Sequence, residues 1–146
     1  MALNMSTGFV SALLGPQSFD QIMLDGTIEI RSGEQPATAD MPATGTLLAR
    51  VTRGGGAWAA GNPSNGLRWI RDGRYAFKAP DQGWTLVGIA SGVAGWFRIV
   101  GNAYDDGAAN QTSPRIDGAI GVIPEDGQTP TGDFQLFLPT LTIAPA

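Results

Sequence analysis

The chain contains no cysteine and no histidine, and only 15% of its 146 residues are charged. Without cysteine there is no disulfide framework, thiol nucleophile or thiolate metal site. Without histidine the chain lacks the usual general base near neutral pH, the Ser-His-Asp constellation and the commonest zinc ligand. We therefore expect a protein that is not an enzyme, with no catalytic, cofactor-binding or metal-binding residues.

The low charge content also predicts how the surface behaves. An ordinary soluble domain has about a quarter of its residues charged, so a more neutral surface is expected here. A weakly charged surface resists association less, because like-charge repulsion is what keeps many proteins apart. The chain has no run of about 18 apolar residues, so a membrane partner is not expected. The composition predicts a protein that associates with other proteins.

The charge is unevenly distributed along the chain. The net charge is −4, but residues 50–78 carry six basic side chains and one acidic one, which leaves −9 for the remainder. This segment is either a patch that faces an acidic surface on a neighbouring copy or a set of charged hairpin tips that aid solubility. Nucleic acid is not an expected partner, because the density of Lys and Arg is too low for phosphate contacts. The candidate interface residues in this segment are Arg50, Arg53, Arg71 and Arg74.

Glycine and proline are frequent and separate short apolar runs, which indicates many turns joining short strands. In residues 27–31 apolar and polar side chains alternate strictly, and Ile28 and Ile30 are expected on the buried face. Eight or nine strands without helical crossovers predict an all-β fold, an antiparallel β-sandwich or barrel of jelly-roll type. The other predicted strands are 46–52, 67–71, 74–78, 84–90, 95–100, 115–123, 133–138 and 140–143.

The clearest local signal is a hairpin over residues 67–78. The dipeptide Asp72-Gly73 is typical of a two-residue type I′ turn between antiparallel strands. That register places Arg71 opposite Arg74, a like-charge pair that disfavours the hairpin. We expect Asp72 or a carboxylate of a partner to offset the repulsion.

The first residues predict a different local structure. Residues 1–25 are interpreted as an N-terminal arm or short helix, followed by a single β-sandwich domain at 26–146. Ser6 or Thr7 is available as N-cap, and Gly15-Pro16 ends the helix. The segment either docks onto a neighbouring subunit or packs against the end of its own sandwich. Its candidate interface residues have helical spacing: Phe9, Val10, Leu13 and Leu14.

Two sets of residues allow a ligand-binding interpretation. The loop with Asp105-Asp106-Gly107 and Asn110 holds oxygen ligands suited to calcium, but its spacing differs from an EF-hand and favours a turn capped by Asx side chains. Paired carboxylates for glycoside hydrolysis would have to come from the acids Asp81, Asp105, Asp117 and Glu125.

The aromatic side chains also have two interpretations. They form either a sugar-stacking platform or part of the core, and the core is favoured for the three tryptophans within predicted strands. The aromatic residues concerned are Trp58, Trp69, Trp84, Trp96, Tyr75 and Tyr104.

Two stretches carry a resemblance to a known group of proteins. The first is GTIEIRSGEQPATAD at 26–40, followed by ATGTLL at 43–48. The second is GVAGWFRIV at 92–100, followed by RIDGAIG at 115–121. Both resemble segments of small virion structural proteins of tailed bacteriophages and prophages.

The resemblance implies a protein made in the bacterial host cytoplasm and incorporated into the virion, with no catalytic residues to transfer. One implied role is a capsid decoration (cement) protein that stabilises the shell, forms homo-oligomers such as trimers, and contacts the major capsid protein or other virion proteins. The other is a tail-tip or fibre component that binds host-surface glycan. The insertion at 61–66 and the Pro-rich end depart from the usual pattern, so the sequence leaves the position within the virion open.

Overall fold

The computed structural model describes residues 3–73, 75–121, 136–137 and 142–143. The structure is 38% strand and 10% helix, which confirms the β-rich class. No helix among the described residues is long and apolar enough to span a membrane. The elements of the described residues are β1 (Asn4–Met5), α1 (Thr7–Leu14), α2 (Phe19–Ile22), β2 (Thr27–Ser32), β3 (Leu47–Arg53), β4 (Trp69–Asp72), β5 (Tyr75–Lys78), β6 (Trp84–Gly88), β7 (Gly92–Val100), β8 (Arg115–Gly121), β9 (Leu136–Phe137) and β10 (Thr142–Ile143).

The main sheet has the strand order β1-β8-β7-β2-β3-β6, with β9 beside β8 and β10 beside β7. Strands β4 and β5 form a separate two-stranded sheet. Each predicted strand overlaps a strand of the structure, whereas the short elements β1 and α2 were not predicted. The predicted antiparallel pairing is found along the six strands of this order, whereas β9 runs parallel to β8. Residues 122–135 connect these two strands, and a connection of about a dozen residues or more is what a parallel pair requires.

One face of the main sheet is apolar and forms the core. Ile28 and Ile30 of β2 are fully buried on this face, as the alternation predicts. Phe97 lies opposite Gly118, and a Cβ at Gly118 would overlap the Phe97 ring, so only glycine allows the ring to lie across the strand. The residues in register with Ile28 across the sheet are all aliphatic: Ile116, Ile99, Val51 and Leu86.

Helix α1 packs on this apolar face and confirms the predicted N-terminal helix. Its N-cap is Ser6, whose Oγ accepts a hydrogen bond from the Phe9 N–H at 3.1 Å. The helix ends at Leu14, before the C-cap Gly15. Because Phe9 is 2% exposed and belongs to the core cluster, α1 is held against the sheet. The division of the chain at residue 26 stays a prediction.

A chain of four aromatic rings crosses the core from α1 to β6. Phe9 contacts Phe19 of α2 edge to face, with ring centroids 6.0 Å apart. Phe19 contacts Trp69 of β4 at 5.2 Å, and Trp69 contacts Trp84 of β6 at 4.8 Å. Edge-to-face contacts at these distances add to the free energy gained by burial alone. The rings therefore join both helices and the hairpin to the main sheet.

The hairpin has a different register from the predicted one. Asp72 pairs with Tyr75, so the turn between the strands lies one residue further along the chain than predicted. In this register Arg71 lies opposite Ala76. This register avoids the like-charge pair with Arg74, a residue that lies outside the described ones. Arg71 instead pairs with Asp20 of α2 at 2.6 Å.

Candidate functional site

The second face of the main sheet carries a row of charged side chains of alternating sign. In register across four neighbouring strands lie Asp117, Arg98, Glu29 and Arg50. We call these four residues the charge row. Alternation in the sequence assigns polar side chains to this face but does not predict that they are buried. Arg98 and Asp117 are nevertheless 1% and 0% exposed.

Arg98 and Asp117 form a two-point ion pair at the buried end of the charge row. Nε and Nη2 of Arg98 donate to the two carboxylate oxygens of Asp117 at 2.6 and 2.8 Å. The guanidinium also lies 5.3 Å from the centre of the Trp96 ring. Burial raises the pKa of Asp117, and the hydrogen bonds from Arg98 oppose that rise.

A second buried arginine lies beside this pair. Arg115 donates from Nε and Nη2 to the carboxylate of Asp105 at 2.6 and 2.5 Å. Burial raises the pKa of Asp105, but the hydrogen bonds from Arg115 and from the Gly107 N–H, together with the positive charges of Arg115 and Arg98, outweigh it and hold this pKa below its ordinary value. Arg115 and Arg98 both donate to the carbonyl of Ala39, at 3.2 and 3.5 Å. The two arginines therefore fasten the β2–β3 loop over the charged face.

The two segments singled out in the sequence, residues 26–48 and 92–121, meet at this place. The first contributes the Ala39 carbonyl and the carboxylate of Asp40, which accepts hydrogen bonds from the backbone N–H and hydroxyl of Thr7 at 2.8 and 2.6 Å. The second contributes Arg98, Arg115 and Asp117. In this structure the charged residues of the motifs bind parts of their own chain together, which is a structural role.

The loop around Asp105 is a series of Asx turns, as the sequence favours. Asp105 Oδ1 accepts from the Gly107 N–H at 2.9 Å, and Asp106 Oδ1 accepts from the Ala108 N–H at 2.9 Å. Asn110 Oδ1 accepts from the N–H of Ser113 at 2.7 Å. These side chains satisfy backbone donors of the loop itself.

Each candidate catalytic carboxylate in the described part of the chain is engaged in an ion pair with an arginine. Asp81 pairs with the exposed Arg68, while Asp105 and Asp117 pair with Arg115 and Arg98. Glu125 lies outside the described residues. That the protein is not an enzyme stays a prediction.

The candidate interface residues of α1 divide into two groups. Phe9 is buried in its own chain, which is the second of the two roles predicted for the segment. Val10, Leu13 and Leu14 are 39, 43 and 84% exposed. Their contact with a partner stays a prediction.

The candidate basic residues are partly neutralised within the chain. Arg50 lies 3.4 Å from Glu29, and Arg71 pairs with Asp20. Arg53 is exposed, and Arg74 lies outside the described residues. The segment is therefore less positive than its composition indicates.

Further exposed apolar side chains lie on the same side of the molecule as α1. Contacts run from α1 to α2 and from α2 to β4, so the helices and the hairpin form one layer over the apolar face of the sheet. We call the exposed large apolar residues of this layer the outer apolar layer: Val10, Leu13, Leu14, Leu24, Ile70 and Phe77.

The tryptophans also divide between core and surface. Trp69 and Trp96 are 5 and 0% exposed, which confirms their predicted core role, and Trp84 packs partly buried against the core. Trp58 and Tyr104 instead line a groove with a cavity of about 250 Å³ beside the charge row. We call it the Trp58–Tyr104 groove.

Comparison of the chain with protein-family models, curated proteins and solved structures finds no match in any of the three.

Proposed function

We propose that the chain is a non-catalytic structural protein of a tailed-bacteriophage virion, a capsid decoration protein that stabilises the shell by contacting neighbouring capsid subunits and copies of itself. The observation that carries the proposal is the outer apolar layer. Exposed apolar side chains that gather on one side of a protein mark a candidate site of interaction with another protein. The resemblance of the two motifs indicates which kind of assembly supplies that partner.

Helix α1 is the strongest part of this observation. A helix on the surface of a soluble protein normally presents charged and polar side chains to solvent. Helix α1 has the sequence TGFVSALL with no charged residue, and Leu14 on it is 84% exposed. A Cβ at Gly8 would overlap the backbone carbonyl of Thr112, so the helix lies too close to the β7–β8 loop for a larger residue. The exposed leucines are thus presented from a firmly docked helix.

The position of the β4–β5 hairpin over the main sheet supports a second part of the proposal, namely that the fold is a β-sandwich of jelly-roll type. The β4–β5 hairpin covers the apolar face of the main sheet and inserts Trp69 into the core, as the second layer of a jelly-roll sandwich would. The two buried arginine pairs hold the loops on the opposite face. Such a rigid module suits a protein that reinforces a shell.

Two measurements test the proposal: the number of copies of the protein in each virion, and the binding of an α1 variant to assembled shells. We expect quantitative mass spectrometry of purified virions to find the protein in many copies per head, and cosedimentation to show that it binds assembled shells. Replacing both leucines (L13S/L14S) should weaken shell binding at least tenfold, because burial of each leucine contributes about 1.5–3 kcal/mol. The matched control is Ile89→Ser, at a residue 48% exposed outside the outer apolar layer.

Two results would contradict the proposal. One is a count of only a few copies, all at the tail. The other is shell binding by L13S/L14S equal to that of Ile89→Ser, with both variants folded by circular dichroism.

A further inference from the structure

We propose that the Trp58–Tyr104 groove binds a saccharide, with a neutral pyranose unit as its ligand. The groove opens on the charged side of the main sheet, whereas the outer apolar layer covers the opposite face. Saccharide binding is therefore independent of the shell contact proposed above.

The groove has a floor made by the sheet and walls made by two loops. Glu29, Arg50 and Val100, on three neighbouring strands, form the floor. The β3–β4 loop contributes Trp58 to one wall, and the β7–β8 loop contributes Tyr104 to the other. Tyr104 is 81% exposed and presents its ring to solvent at the rim.

Hydrogen bonds to a shared carbonyl fix the two walls to each other. Trp58 Nε1 and Asn102 Nδ2 both donate to the carbonyl of Asp25, at 2.9 and 2.8 Å. Asn102 Nδ2 also donates to the carbonyl of Asn62 at 2.9 Å, and the Gly61 N–H donates back to the Asn102 carbonyl at 2.8 Å. A groove that is already ordered loses little conformational entropy when a ligand enters.

The chemistry of the lining matches the two sides of a sugar ring. A pyranose has an apolar C–H face, which packs on aromatic rings such as the exposed ring of Tyr104, while the Trp58 ring already holds the Arg50 guanidinium 5.5 Å from its centre. Its hydroxyl groups both donate and accept, so they match a carboxylate and a guanidinium placed side by side. Glu29 and Arg50 offer this combination at a separation of 3.4 Å.

The charge of the lining favours a neutral ligand. Glu29 pairs with Arg50, and Asp105 pairs with Arg115 at 2.5 Å. Neither a phosphate nor a metal ion would find a surplus of opposite charge there. The cavity of about 250 Å³ lies just below the range of about 300–1,000 Å³ typical of small-molecule sites, which suits a single ring.

A second cavity adjoins the groove and shares Tyr104 with it. It measures about 270 Å³ and is lined by Ile22, Asn102 and Pro114 among others. Because Tyr104 lines both cavities, an oligosaccharide that occupies both would contact this residue with more than one unit. This arrangement favours an oligosaccharide over a free monosaccharide.

The experiment starts with the full chain on an array of bacterial O-antigen and capsular saccharides, with maltotriose and chitotriose as soluble probes. Binding is then measured by isothermal titration calorimetry. We expect saturable binding to at least one saccharide, at least fivefold weaker binding by Tyr104→Ala, and nearly unchanged binding by Tyr104→Phe, which keeps the ring. The matched control is Val93→Ala, at an exposed apolar residue outside both the groove and the outer apolar layer.

The absence of saturable binding to every saccharide, or equal binding by Tyr104→Ala and the wild type, would overturn the proposal. Sedimentation velocity supplies the competing outcome. If Tyr104→Ala weakens self-association and no saccharide binds, the groove is a protein contact and the saccharide proposal is wrong. Because Tyr104 is so exposed, its removal leaves the core intact and keeps this test separate from folding.

Discussion

Replacing Arg98 with methionine is expected to destabilise the protein strongly at neutral pH. The variant removes the cation from a pair in which both side chains are at most 1% exposed, and it leaves the Asp117 carboxylate buried without its partner. Breaking a buried ion pair from one side costs about 3–5 kcal/mol. Since whole domains are stable by only about 5–15 kcal/mol, this is a large share of the folding free energy. The Ala39 carbonyl keeps its other donor, Arg115, so the loss reports mainly on the ion pair.

The pH dependence of this loss identifies its cause. Burial raises the pKa of Asp117, and removing Arg98 removes the hydrogen bonds that oppose the rise. A carboxyl group whose folded-state pKa is raised contributes most stability below its unfolded pKa of about 3.9, and loses that contribution as the pH rises through the folded-state pKa. The deficit of Arg98→Met relative to wild type should therefore be largest near pH 8 and should shrink toward pH 4.

Urea unfolding followed by tryptophan fluorescence measures these differences. The double variant R98M/D117N should be more stable than Arg98→Met at pH 8, because it no longer buries a lone charge. The matched control is Arg68→Met, which breaks the exposed pair with Asp81 by the same chemical change and should leave stability close to wild type. Equal losses in Arg98→Met and Arg68→Met, or no recovery in the double variant, would refute the reasoning.

Two further predictions concern neighbouring residues. Asp105→Asn should cost about 3 kcal/mol at pH 7, because it breaks the pair with the buried Arg115. The folded-state pKa of Asp105 is lowered, so the difference in unfolding free energy between wild type and Asp105→Asn should be complete above about pH 4. It should disappear as the pH falls through the folded-state pKa. A difference that urea unfolding finds constant from pH 7 to pH 2 would contradict this prediction. Gly118→Ala should lower stability by about 1–3 kcal/mol because its Cβ meets the Phe97 ring. Thermal unfolding should show no such loss for the control Gly83→Ala, where a Cβ meets no atom within 4 Å.

Local patterns in the sequence were sufficient to predict the strands from β2 onward and the first helix. Alternation places Ile28 and Ile30 on the apolar face, and helical spacing with Ser6 as N-cap defines α1. Both signals depend on residues close in the chain. The hairpin register, in contrast, could not be predicted from nearby residues. It is shifted by one residue from the turn that Asp72-Gly73 predicts, and in the shifted register Arg71 contacts Asp20 of the distant helix α2.

The burial of the charge row could not be predicted from alternation alone. Period two assigns Arg98 and Asp117 to the polar face, but whether that face meets water depends on the distant β2–β3 loop. One sequence signal was present, because alternation places Trp96 on the same face as Arg98, and a large apolar side chain on that face indicates that something covers it. In the structure Trp96 is fully buried. The Trp58–Tyr104 groove carried a weaker signal, because its two rings come from separate loops that only the folded chain brings together.

The pairing of β1 with β8 sets an order of events during synthesis. Asn4 pairs with Asp117, and the backbone N–H of Ser6 donates to the carbonyl of Arg115 at 2.9 Å. At about 5–20 residues per second, a ribosome adds residue 117 roughly 6–23 s after residue 4. During that interval the N-terminal segment has no strand to join, and the Phe9 ring lacks its complete pocket. The newly made chain therefore cannot form the β1–β8 pairing until β8 has been synthesised, and its apolar N-terminal segment is open to chaperones until then.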